Sequence, residues 1–342
     1  MKKIFVFVSL ILSTRAMSQQ GFTIKENKAS KEIAINFNGQ LLTAYCYYDS
    51  SRKPVLYPVN TVDGIMVTRQ YPFHIVPGER TDHPHHTGIW LNYESVNGLD
   101  FWNNSTAIEP AKRNQYGTIL HQKVLDKKTN GNTASLTTAS TWVRPDGKVL
   151  LNENTRFNFS VNGNDFIIDR ITTLTATDTT VLFKDVKDGM LGMRVARELE
   201  MPSKEKGSFI DDKGNVTVVP PSGSDVTGMY YNSDGVKGDS VWSTKGKWAI
   251  LTGKKDGKPV TIGMIDHPLN VGYPTYWHAR GYGLFAANPL GRKVFSNGKE
   301  ELNFSLAPKR SVTFRYRIII HSGEPLTPEA MNQQADDFAK TR

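Results

Sequence analysis

Ten Asn-Gly or Asp-Gly pairs punctuate this chain, at residues 38–39, 63–64, 97–98, 130–131, 146–147, 162–163, 188–189, 234–235, 256–257 and 297–298. Asn and Asp tolerate left-handed backbone and Gly favours it, so each pair fits the primed turn of a tight hairpin. Between the pairs lie β-rich runs at residues 31–37, 41–48, 117–125, 133–143, 149–161, 166–175, 247–252, 260–265 and 311–321. Runs of this kind with almost no helical periodicity predict an all-β chain, a large antiparallel β-sandwich. By analogy alone, the variant expected is a mutarotase-like supersandwich. One short helix is predicted at the C-terminus. Thr327 caps it, Pro328 takes its first position, and Met331, Ala335 and Phe338 share a face. No repeat of 20–50 residues points to a propeller or solenoid.

Residues 1–18 read as a signal peptide. Lys2 and Lys3 precede an apolar run from Ile4 to Leu12, and Ala16-Met17-Ser18 offers small residues for cleavage near Ser18. The expectation is a secreted or periplasmic protein with no membrane span in the mature chain, residues 19–342 forming a single β-sandwich domain. The Gly/Pro/Ser-rich stretch 220–225 is read as a surface loop within it. Removing the peptide takes the formal charge from +9 to +6 (9 − 3, for Lys2, Lys3 and Arg15). The remaining positive charges form no block of the sort that marks nucleic-acid arms, so nucleic acid is not an expected partner. A single cysteine, Cys46, rules out an intramolecular disulfide, and its aromatic surroundings read as a buried, inert thiol.

Three stretches crowd chemistry-bearing residues. The densest runs from Arg80 to Trp102 and holds Asp82, His83, His85, His86, Glu94 and Asp100 with Trp90 and Trp102. In an extended stretch His83 and His85 project to one side and His86 to the other. They are read as acid/base or hydroxyl-binding groups, as ligands of a divalent metal (His83, His85 and His86), or as structural caps. Trp90 reads as core. Trp102, beside Asp100, Asn103 and Asn104, reads as an aromatic face at a pocket rim. The second stretch, Lys184 to Arg197, carries Lys184, Asp188 and Arg194, with Asp188-Gly189 as a turn. It is a solvated face or a site for a polyhydroxyl ligand. The third, Tyr273 to Gly291, sets His278, Arg280, Tyr282 and Asn288 among glycines that permit close backbone approach. A GxSxG elbow, a P-loop, a GxGxxG after a strand, HExxH and CxxC are all missing from the sequence.

Several motifs occur together: His83-Pro84-His85-His86-x-Gly88-x-Trp90, Val96-Asn97-Gly98-x-Asp100-Phe101-Trp102, Lys187-Asp188-Gly189 with Arg194, His278-Ala279-Arg280-Gly281-Tyr282-Gly283, and Asn288-Pro289. In these the chain resembles the exported bacterial family that carries the label methane oxygenase PmoA. The resemblance implies export but brings no catalytic assignments with it. A methane monooxygenase subunit needs spanning helices, which the mature sequence lacks, so methane oxidation is rejected.

The residues favour a carbohydrate-active enzyme using His/Asp acid–base chemistry, by hydrolysis, elimination or epimerisation of a sugar or sugar derivative. His85 or His278 moves the proton and Asp188 partners it. Arg80, His83, His86, Asp100, Trp102, Lys184, Arg194, Arg280, Tyr282 and Asn288 bind the small-molecule or oligosaccharide ligand. No cofactor is predicted, although a divalent metal fits the histidine cluster. The alternatives are a non-catalytic glycan-binding sandwich and a His-ligated metal enzyme.

Overall fold

The computed structural model describes residues 20–203, 206–219 and 225–341, so the predicted signal peptide and most of the 220–225 loop lie outside it. Two eight-stranded antiparallel sheets pack face to face. The front sheet runs in the order Phe22–Asn27, Glu32–Phe37, Gln40–Cys46, Val55–Val59, Ile89–Tyr93, Gly189–Arg194, Leu284–Asn288 and Tyr276–Arg280. The back sheet runs Met229–Asn232, Trp248–Lys255, Lys258–Asp266, Ser311–Ser322, Asp165–Ala176, Val149–Asn162, Thr133–Val143 and Thr118–Asn130. The sandwich is therefore as predicted, and the C-terminal helix spans Pro328–Ala339, with Thr327 Oγ1 accepting from Ala330 N.

Period-two alternation builds the core. In Thr133–Val143 the residues Ala134, Leu136, Thr138, Ser140 and Trp142 are buried while those between them are not. Inward side chains of both sheets, among them Leu91, Leu191, Phe285, Leu136, Phe157 and Ile318, share one apolar cluster. Each sheet also buries part of its outer face. The helix lays Met331, Ala335 and Phe338 on Ile167, Ile250 and Ile319 of the back sheet. Over the front sheet, loops cover a smaller cluster that includes Cys46, Tyr57, Trp90, Trp102, Leu284 and Ala286.

Four of the predicted turns place both residues in left-handed backbone: Asn38-Gly39, Asn97-Gly98, Asp256-Gly257 and Asn297-Gly298. Asp188-Gly189 forms no hairpin turn, and neither residue is left-handed. Gly189 opens a central strand and pairs with Tyr93. It is glycine because a Cβ there would stand 2.2 Å from the Tyr93 ring. The 184–197 stretch is thus not a solvated face: all six residues of Gly189–Arg194 are buried.

Candidate functional site

The outward face of the front sheet is where the three dense stretches meet. Strand register places Trp90, Gly192, Ala286 and His278 in one row across four neighbouring strands. Residues two further along, Arg194 and Arg280, flank Leu284 on the same face. At this end the face opens into a cleft of about 870 Å³, lined by Arg80, Asp82, His83, Asp239, Trp242, Arg280 and Tyr282 among others.

Two buried guanidinium groups shape the cleft wall. Arg69 donates to the carbonyls of Asp82 (2.7 Å), His83 (2.8 Å) and His86 (3.0 Å), and its Nη1 meets Asp82 Oδ1 at 2.9 Å. Arg194, fully buried, donates to the same Asp82 oxygen at 2.6 Å. The other carboxylate oxygen, Oδ2, faces His83 Nδ1 at 2.9 Å. Burial alone would raise the Asp82 pKa, but His83 and the two guanidinium groups outweigh it and hold the carboxyl well below the usual range. An ionised carboxylate accepts, so His83 Nδ1–H donates and leaves Nε2 as a proton acceptor. Behind the dyad, Arg80 Nε donates to Glu200 Oε2 at 2.7 Å.

The histidine loop is not extended. His83 has φ +45°, and His86 N donates back to the His83 carbonyl at 2.9 Å. This turn sets His83 and His86 on the same side, correcting the predicted alternation. Their rings stack 4.8 Å apart; the Tyr282 ring, parallel to both, lies 4.9 Å from His83 and 6.4 Å from His86, and Trp90 lies 5.2 Å from His86. The result is a cluster of four rings that joins the cleft-lining Tyr282 and His83 to the buried His86 and Trp90. Burial keeps His86 and His85 neutral, with pKa values well below the ordinary one. The planes of His83 and His86 are 2° from parallel, so their in-plane lone pairs do not converge on one ion. Among the described residues, no group of three or more His, Cys, Asp or Glu side chains is arranged as a metal site.

A second polar centre lies deeper on the same face. His278 Nδ1 stands 3.5 Å from Asp188 Oδ1 without forming a hydrogen bond, and both residues are buried. Lys187 Nζ donates to Asp188 Oδ2. Burial pushes His278 down to about 4. Burial, reinforced by Asp188, pushes half-buried Glu94 up to about 7. Burial raises the Asp100 pKa as well, although Asn103 donates to both its oxygens.

Of the predicted catalytic groups, His278 and Asp188 come together, while His85 lies apart. His85 borders a separate small pocket with Lys53, whose ammonium donates to the His85 carbonyl at 2.6 Å. Burial lowers that lysine to about 7. Arg80, His83, Arg280 and Tyr282 line the cleft. Trp102 does not form a rim: it is 1% exposed and packs on Trp90 and His86. His86 and Arg194 are likewise buried, supporting the wall from behind. Asn288 is wholly buried and braces the 186–187 carbonyls through its amide. Lys184 is exposed and does not border the cleft. Sequence reasoning gave no role to Arg69, Glu200 or Trp242, and none to Asp82 as the partner of His83. Trp242 follows Asp239 at three residues' distance, the same pairing of an aromatic with a carboxylate that drew attention to Trp102.

No curated protein matches the sequence. Among solved structures, the galactosidase domain of alpha-galactosidase-sucrose kinase, AgaSK, aligns over 88% of this chain at 10% identity and TM-score 0.41. Slr1438 protein from Synechocystis sp. PCC 6803 aligns over 89% of this chain and 96% of its own, at 11% identity and TM-score 0.34. A Glycoside Hydrolase Family 97 enzyme from Pseudoalteromonas sp. strain K8, in complex with panose, aligns over 88% at 10% identity and TM-score 0.30. This chain spans 42% of the length of the first and 35% of the last. The model of a family of unknown function, DUF6807, matches residues 32–336.

Proposed function

The chain belongs to the DUF6807 family, and for this member we propose an exported carbohydrate-active enzyme whose proton transfer is carried by His83 and Asp82. The observation that carries this reading is the dyad at the wall of the cleft. A half-exposed imidazole is oriented by a carboxylate that two buried guanidinium groups hold in place. A fixed tautomer with Nε2 free is what a general base requires. Trp242 and Tyr282 add aromatic faces, and the Arg280 guanidinium lies 5.6 Å and 5.9 Å from their ring centres. An apolar sugar face stacks on such rings while its hydroxyl groups meet Arg80 and Arg280. Asp82 is already engaged by Arg69, Arg194 and His83, which leaves the dyad suited to removing and returning a substrate proton. Elimination or epimerisation fits that task better than hydrolysis by a pair of carboxylates.

The test is a thermal-shift panel of neutral sugars, uronic acids and keto-sugars on the mature protein, followed by turnover assays on the sugars that raise the melting temperature. His83→Gln is expected to keep binding and lose turnover by at least about a hundredfold. Turnover unchanged in His83→Gln overturns the assignment. Binding with no turnover in either protein marks a glycan-binding module instead.

A further inference from the structure

A second cleft, of about 740 Å³, lies away from the dyad, between the outer strands of the front sheet and the long edge strand Thr118–Asn130 of the back sheet. Its volume falls within the roughly 300–1,000 Å³ of small-ligand sites. The charges on its wall are unbalanced in one direction. Lys31 pairs with Asp49, and Glu26 is taken by Lys127. Lys28, Arg52 and Lys123 also line the cleft, and none of them has an acidic partner among the described residues.

The same cleft holds an aromatic surface. The Tyr47 ring lies 4.2 Å from the His121 ring, centre to centre, at 33°. His121 is anchored from within by the buried Tyr45 hydroxyl, 3.1 Å from Nδ1. Burial lowers the His121 pKa, so at neutral pH the ring is an uncharged flat surface and not a fourth cation. The strand that contributes His121 and Lys123 breaks register there twice, between His121 and Lys123 and again between Val124 and Asp126. Bulges of this kind bend an edge strand and re-aim its side chains. They also blunt the open edge against pairing with another chain.

We propose that this cleft is a second carbohydrate site, selective for a short acidic saccharide whose ring stacks on Tyr47, backed by His121, while its anionic substituents meet Lys28, Arg52 and Lys123. A carboxylate and a sulfate ester both satisfy that chemistry. The site is independent of the dyad and requires no turnover, so it stands whether or not the assignment to His83 holds.

Calorimetric titration of the full mature protein tests it with four probes: trigalacturonate, a sulfated trisaccharide, the neutral maltotriose and inorganic sulfate. Binding of one or both acidic trisaccharides is expected, with maltotriose at least tenfold weaker at this site. The double variant Arg52→Ala/Lys123→Ala is expected to weaken the acidic probe at least tenfold, and Tyr47→Ala severalfold. Arg280→Ala is expected to leave it unchanged. The carboxylated and sulfated arms tell which substituent the site prefers. Inorganic sulfate binding as tightly as the trisaccharides would reduce the site to a simple anion patch and overturn the proposal. So would acidic binding that survives the double variant, or that vanishes only with Arg280→Ala. No binding of either acidic probe overturns it as well. Thermal melts of each variant confirm that these surface changes leave the fold intact.

Discussion

Arg194 Nη2 and Asp82 Oδ1 stand 2.6 Å apart, and this contact ties the wall of the cleft to the middle of the front sheet. Arg194 is fully buried, and Arg69 reaches the same oxygen from the other side. Two cations buried beside each other need an anion, and Glu200 alone is distant from Arg194, at 3.9 Å. Asp82→Asn is therefore expected to destabilise the protein by about 3 kcal/mol, the cost of leaving buried charge uncompensated. Urea denaturation reads this as a lower midpoint at unchanged slope. An unmoved midpoint would show that Glu200 suffices for both guanidinium groups.

Acid titration follows from the same carboxylate. The folded pKa of Asp82 is depressed, so its stabilising effect is present above the unfolded value of about 3.9 and is lost as pH falls through the folded value. Wild-type protein is expected to lose stability on acidification below about pH 4 more steeply than Asp82→Asn. Parallel acid limbs in the two proteins would remove Asp82 from the linkage.

Glu94 shifts the other way. Its pKa is raised to about 7 by burial and by Asp188, against about 4.3 in the unfolded chain. Its contribution is complete below pH ~4 and is lost as pH rises through about 7. Between pH 5 and 8 the stability of Glu94→Gln should fall less than that of wild type. Denaturation midpoints at the two pH values measure the difference, and equal slopes would count against a buried Glu94–Asp188 repulsion.

Arg280 is exposed and has no acidic partner among the described residues, so its removal should leave the melting temperature within about a degree. On the sugar identified by the thermal-shift panel, Arg280→Ala should weaken binding tenfold or more, the range expected for a lost hydrogen bond to a charged group, about 1.5–3 kcal/mol. Calorimetry gives the affinity directly. Full affinity in this variant would move the ligand away from the cleft.

Gly192 marks the point where the two indoles meet. A Cβ there would come within 2.6 Å of Trp90 and 2.8 Å of Trp102. Gly192→Ala is expected to cost about 1–3 kcal/mol by overpacking and to change the near-UV circular dichroism of the tryptophans. An unaltered spectrum at full stability would show that the indoles have room to move.

Much of the sandwich was legible because hairpin turns and period-two burial are local. Thr133–Val143 shows its core face in its own sequence, and Thr327-Pro328 announces the helix. Asp188-Gly189 misled because glycine has two uses, left-handed turns and close packing, and here Tyr93, from another strand, determines which applies. The site was legible as three dense stretches but not as roles. Whether His83 or His85 faces the cleft depends on a left-handed residue and on carbonyls gripped by Arg69, which lies more than ten positions away. Trp102 looked like a rim because its neighbours are polar, yet Trp90 and His86 enclose it.

The order of strands in the back sheet has a consequence for the chain as it is made. Ser311–Ser322 lies between Lys258–Asp266 and Asp165–Ala176, so the last strand synthesised is inserted in the middle. Until it leaves the ribosome, that sheet exists as two halves with open edges, and the helix that covers its outer face has not yet been made. Such a chain cannot close early. Both halves of the sheet depend on Ser311–Ser322 for the pairing that joins them.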